Sequence, residues 1–210
     1  QIPSHEEITE QIRATLKANG MFDGVHIRLT LTRGVKVTSG MDPRLNHAGP
    51  TLIVLAEHKP PVYGSGETGI TLVTSSVRRF PPDCLDPKIH HCNLIQSILA
   101  KIQANQAGAD DALMLDVRGF VAETNATHLF LVERDSETAS QRDRGKVKTG
   151  GVRIVTPTCA ACPEGITRAA VMELCAANGI ECVERDVSLT EVYRAAEVFC
   201  TGTMGELVPV

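Results

Sequence analysis

Five segments of this chain carry residue types whose spacing could support chemistry. Gly165-Ile166-Thr167-Arg168 opens an apolar helical pattern. A helix N-terminus offers unpaired N–H groups and a partial positive charge, so it can hold a phosphate. Gly165 allows close backbone approach there, and the Thr167 hydroxyl can donate. The same residues also suit an ordinary helix start with threonine as a cap. Thr201-Gly202-Thr203-Met204-Gly205 follows a strand pattern. Small residues and hydroxyls at a strand end can add donors for an anion, although a plain glycine turn has the same composition.

The third segment runs from Gly119 to Thr127 and holds one carboxylate, Glu123, between two strand patterns. Such a group can pair with a protonated ring nitrogen or simply face solvent. The fourth is Lys88-Ile89-His90-His91-Cys92-Asn93. Its His and Cys spacing matches none of the usual zinc patterns, and no metal is expected. A lysine here could form a Schiff base if its amine were desolvated or near other cations. The fifth is Cys159-Ala160-Ala161-Cys162. A CxxC can be a thiol–disulfide pair, but without a second pair or a thioredoxin-like context two unrelated free thiols are expected.

The elements that must position these residues follow from periodicity. Ser4-His5-Glu6-Glu7 has capping-box spacing, and Ile8, Ile12 and Leu16 continue a helix to Asn19-Gly20. Val25 to Arg33, Thr51 to Ala56 and Ile70 to Val77 read as strands. The prolines of Phe80-Pro81-Pro82-Asp83 and Asp86-Pro87 favour extended backbone and suggest an interdomain linker over 81–87. That divides the chain into a small α+β domain, 1–80, and a larger domain, 88–210. Leu94, Ile95, Ile98, Leu99 and Ile102 give a helical stripe ending near Gly108. Short strands follow at 112–115, 120–122 and 129–132, and the polar stretch from Glu133 to Gly151 reads as a long surface loop. A strand at 152–155, a helix from Ile166 to Asn178, a strand at 182–187, a capping box at Ser188–Glu191 and a strand at 197–200 complete the pattern.

Composition narrows the class. Hydrophobic residues make up 42% of the 210 and charged residues 22%, which is an ordinary globular balance. A net charge of −4 and the absence of tryptophan argue against a nucleic-acid binder, which needs a cationic surface and stacking platforms. No apolar run approaches the ~20 residues that span a bilayer. The polar start at Gln1 carries no signal peptide pattern, and seven cysteines, an odd number, suggest free thiols in a reducing compartment such as cytoplasm or organelle matrix. The chain opens on a helix and stops just after a strand begins, which suggests a fragment of a longer protein.

Taken together and in this order, the segments resemble the fold-type IV pyridoxal-phosphate enzymes. The resemblance rests on GADDALMLDVRGFVAETNATHLFLV (108–132), CPEGITRAAVMELC (162–175) and AAEVFCTGTMGELVPV (195–210), with IRLTLTRG (27–34) and GPTLIVLAEHKPP (49–61) fitting the smaller domain. Within the family the wording is most similar to branched-chain aminotransferase-like proteins. The resemblance implies a two-domain α+β architecture with pyridoxal 5′-phosphate between the domains, usually in a homodimer. It implies that Glu123 meets the pyridinium nitrogen. Gly165, Ile166 and Thr167 would hold the phosphate with Thr203, and the Met204 N–H would meet the substrate carboxylate. A Schiff-base lysine would carry the cofactor and move the α-proton, transferring an amino group from a branched-chain amino acid to 2-oxoglutarate. D-amino-acid transamination and aminodeoxychorismate-lyase-type chemistry belong to the same family.

Two departures bear on these expectations. The family's N-terminal segment, which supplies an arginine to the phosphate and part of the substrate pocket, is absent, as is the stretch beyond Val210. The helix register puts the family lysine three or four residues before Asn93, at His90 or Ile89, whereas Lys88 lies five before. Lys88 is therefore the candidate amine, and the alternative is a catalytically dead relative with a structural or regulatory role.

Overall fold

The computed structural model describes residues 2–63, 68–134 and 151–210. The loop expected over Glu133–Gly151 lies largely outside these residues. The chain divides into two compact units, Gln1–Pro60 and Pro61–Val210.

In the first unit, helix α1 (His5–Asn19) starts on a complete capping box in which Ser4 and Glu7 satisfy each other's backbone N–H. It ends on Gly20 at φ 64°, a left-handed cap that glycine adopts without a Cβ penalty. Strands β1 (Val25–Thr32) and β2 (Thr51–His58) pair antiparallel from Val25 opposite His58 to Thr32 opposite Thr51, and α1 packs on β2.

The second unit begins with β3 (Leu72–Arg78), continues through a short helix α2 (Pro82–Leu85) and reaches α3 (Ile95–Ala107). Strands β4 (Asp111–Leu115), β5 (Val121–Thr124), β6 (His128–Arg134) and β7 (Val152–Thr156) follow. Helix α4 (Ile166–Ala177), β8 (Glu181–Glu184), α5 (Leu189–Arg194), β9 (Glu197–Gly202) and β10 (Glu206–Pro209) complete it. One sheet has the order β3-β4-β5 and the other β10-β9-β6-β7-β8. The fold is mixed α+β, as expected.

The domain boundary expected at 81–87 is corrected. β3 pairs parallel with β4, and α3 forms the connection between them, so 72–78 belongs to the larger unit. Parallel pairing needs a crossover of a dozen or more residues, and the proline-rich stretch is the first part of that crossover.

The apolar stripe of α3 also faces differently from its simplest reading. Gln96, Ala100 and Ala104 are its buried residues, while Ile95, Ile98, Leu99 and Ile102 are 45–53% exposed. Alanine lets the helix approach β3 and β4 closely, and Ala100, Ala104, Ala112 and Met114 form a small core there. The main core lies between the sheets and combines Leu113, Leu115, Leu129, Leu131, Val155, Val187 and Val208. A third cluster, with Phe130 and Val132 against Val171 and Cys175, fastens α4 to the larger sheet.

Candidate functional site

The end of β5 and the start of β6 are joined by a four-residue turn. The Thr124 hydroxyl accepts from the Ala126 and Thr127 N–H groups, and its own backbone N–H donates to the Thr127 carbonyl. This turn sets Glu123 and His128 side by side, with His128 Nδ1 3.7 Å from Glu123 Oε2. Arg79, just after β3, reaches across and forms an ion pair with Glu123 Oε1 at 2.7 Å. Its guanidinium also donates to the Thr124 carbonyl and the Ser97 hydroxyl. Both members of the Arg79–Glu123 pair are 6% exposed at the side chain.

Burial pushes the Glu123 carboxyl up to about 8, against the opposing charge of Arg79. Burial, reinforced by the charges of Arg168 and Arg79, pushes His128 down to about 4, so its imidazole is neutral at physiological pH.

These groups line an open cleft of about 430 Å³ that also includes His90, Asn125, Glu164, Gly165, Ile166, Thr167, Thr201, Gly202 and Thr203. Of the residues singled out from sequence, Glu123, Gly165, Ile166, Thr167 and Thr203 all line it. Its volume suits a small-molecule ligand.

One wall is the N-terminus of α4. Gly165 is the N-cap and makes no side-chain cap, so no side chain of the cap engages the first-turn N–H groups. A Cβ on Gly165 would lie 2.3 Å from the His128 ring, so only glycine lets the helix start approach β6 this closely. Across the cleft, β9 ends at Thr201-Gly202, and the Thr201 hydroxyl is buried without a partner. Arg79 Nε is likewise buried and unpartnered. Both residues line the cleft. The donor set suits a phosphate ester at the helix start, and Glu123 suits a ring nitrogen.

Three groups of residues lie elsewhere than the simplest expectation. Lys88 does not line the cleft. Asp86 to Ile89 form a turn, with Ile89 N–H donating to the Asp86 carbonyl and Lys88 N–H to the Asp86 carboxylate. The Lys88 side chain is 51% exposed and its Nζ lies 3.9 Å from Glu164. His90 occupies the cleft side of this segment, and no lysine is among the described residues that line the cleft. Met204 does not line it either. Its carbonyl accepts from the Val62 N–H. Cys159 and Cys162, expected as unrelated thiols, are neighbours that also meet His128. Their mutual hydrogen bond pulls Cys159 down to about 7 and drives Cys162 upward.

Sequence reasoning missed Arg79, His128 and Arg168. Arg79 sits in an Arg-Arg pair just before the prolines, which is the one local hint of its role. Arg168 was read only as part of the phosphate turn. It is buried, and its guanidinium pairs with Glu184 at 3.0 Å and donates to the Pro157 carbonyl and Thr156 hydroxyl, tying the α4 start to β7.

The fold is a mixed α+β one with an open small-molecule cleft, and comparison with known proteins identifies the family. The model for amino-transferase class IV matches residues 2–210, so the chain belongs to that family. It is 54% identical over 209 residues to branched-chain-amino-acid aminotransferase-like protein 2 of Arabidopsis thaliana, covering all of this chain and 34% of the relative. It is 40% identical over 205 residues to a putative branched-chain-amino-acid aminotransferase of Methanocaldococcus jannaschii, covering 98% of this chain and 64% of that protein. Among solved structures, the T.th. branched-chain amino acid aminotransferase complexed with N-(5′-phosphopyridoxyl)-L-glutamate superposes with a TM-score of 0.82 at 32% identity, over all of this chain and 63% of that one. The Escherichia coli branched-chain amino acid aminotransferase gives 0.83 at 26% identity, over all of this chain and 64% of that one. The chain thus spans about a third of the length of the plant relative and under two thirds of the others.

Proposed function

We propose that this chain is the pyridoxal-phosphate-binding core of a longer class IV protein whose reaction is amino-group transfer from a branched-chain amino acid to 2-oxoglutarate. The observation that carries the cofactor reading is that one cleft combines two unlike features. Its lining holds a bare helix start, with Thr167 and Thr203, and the buried Glu123. The first is built for an anion, and the second can hold a proton on a ring nitrogen. Bound there, the cofactor would supply an electron sink for cleavage at the amino acid α-carbon. Glu123 would keep the ring protonated, Arg79 would orient Glu123, and Ile166, Thr167 and Thr203 would hold the phosphate.

One observation favours a second reading. With no lysine among the described residues lining the cleft and His90 in place of an amine, the cofactor is held without a covalent link, in a relative that binds but does not transfer. The homodimer implied by the family is supported by the exposed apolar stripe of α3, which a partner surface would cover. A reducing compartment is supported by seven free cysteines.

The test uses the full-length protein loaded with pyridoxal phosphate, dialysed, then reduced with borohydride and mapped by peptide mass. Retained cofactor with turnover of leucine and 2-oxoglutarate, and a pyridoxyl mass on the Lys88 peptide, supports the transferase. Retained cofactor that remains extractable after reduction, without turnover, selects the binding-only relative. Protein that retains no cofactor sinks both.

A further inference from the structure

We propose that His128, Cys159 and Cys162 form a binding site for a borderline-soft divalent cation, with zinc as the fitting ion. The ligand atoms of the three side chains all lie within 4.8 Å of one another. Both thiols are buried, and His128 is largely so. Two cysteines separated by two residues, joined by a histidine from elsewhere in the fold, match the three protein ligands of an open tetrahedral zinc site. Small closing movements of the Cys159–Cys162 loop bring thiolate sulfurs and imidazole nitrogen to bonding distance.

The surroundings agree with this assignment. His128 Nδ1 leans toward Glu123, at 3.7 Å. The other edge of the ring, with Nε2, faces Gly165 on the loop that carries the two thiols. A carboxylate behind one nitrogen and the metal at the other is the usual way a ligating imidazole is oriented. Arg79 lies against Glu123 and Arg168 against Glu184. Binding removes one proton from each thiol, so two thiolates neutralise the dication and two protons are released.

The site lies between the start of β6 and the loop that leads into α4. An ion there would staple the loop before the α4 start to the sheet, and its histidine ligand also lines the cleft. The inference is argued from the ligand geometry and does not use the cofactor reading.

The experiment uses the purified, reduced protein without added cofactor. It is mixed with zinc sulfate, dialysed against metal-free buffer and assayed for zinc by mass spectrometry. About one ion per chain is expected, with a higher melting temperature than the chelator-treated protein. Zinc should protect two thiols from an aromatic disulfide reagent, and cobalt should give a thiolate charge-transfer band. Cys159→Ser and Cys162→Ser should each weaken binding by about 100-fold or more. If either variant fails to fold, thiol protection and the cobalt band in the wild-type protein decide the matter. Zinc lost on dialysis, or zinc held equally well by a folded Cys159→Ser/Cys162→Ser protein, overturns the proposal.

Discussion

The two sides of the cleft are built in different ways. The wall formed by Glu123, Arg79, His128 and the α4 start is fixed by buried strands, a buried ion pair and a glycine packed against an imidazole ring. The opposite segment, from Asp86 to Asn93, is irregular, and its side chains are mostly exposed. It is held by local turns, in which the Asp86 carboxylate accepts from Lys88 N–H and the His91 ring accepts from Asn93 N–H. Where the backbone is locked by sheet and helix, Glu123, Gly165, Ile166 and Thr167 line the cleft. Where it is held only by turns, His90 lines the cleft and Lys88 does not. Rigid packing preserves a binding wall, while a surface turn can shift a side chain out of the cleft at small cost.

The largest test of this contrast is Arg79→Met. It leaves the Glu123 carboxyl buried without its partner, so stability should fall by about 3–5 kcal/mol. Urea unfolding reads this directly, and an unchanged midpoint would show that the wall does not depend on the pair.

Gly165→Ala is expected to come next. The added methyl meets the His128 ring at 2.3 Å, and the strain should cost about 1–3 kcal/mol. As the helix start shifts, affinity for pyridoxal phosphate should drop by about tenfold, the equivalent of 1.4 kcal/mol. A fluorescence titration that matches wild type would mean that the α4 start does not hold the phosphate.

The other side is sharpened by His90→Lys. This change sets an amine on the cleft lining, so borohydride reduction of cofactor-loaded protein should place a pyridoxyl mass on that peptide. If the variant binds cofactor yet stays unlabelled, the cleft side of the segment is not where the aldehyde lies. Lys88→Ala should do least. Its contact with Glu164 is an exposed pair at 3.9 Å, worth about 0–1 kcal/mol. Cofactor retention after dialysis should be unchanged, and a marked loss would return Lys88 to the site.

Much of the molecule is legible from local pattern. The α1 and α5 capping boxes, the Gly20 and Gly108 helix stops and the alternation in β1 and β2 all read directly, because caps and periodicity are short-range properties of the chain. The phosphate turn at Gly165–Thr167 and the Glu123 segment are contiguous motifs, so the family is visible in the letters alone. The tertiary structure alone decided which residues meet. β3 joins the larger unit because its hydrogen bonds go to β4, far along the chain. Arg79 completes Glu123 only once β3 and β5 share a sheet. His128 joins Cys159 and Cys162 only when β6 and the loop before α4 pack together. Lys88 sits in a turn where Asp86 accepts its backbone N–H, and a one- or two-residue change of position in an irregular segment leaves no periodic signal in the sequence.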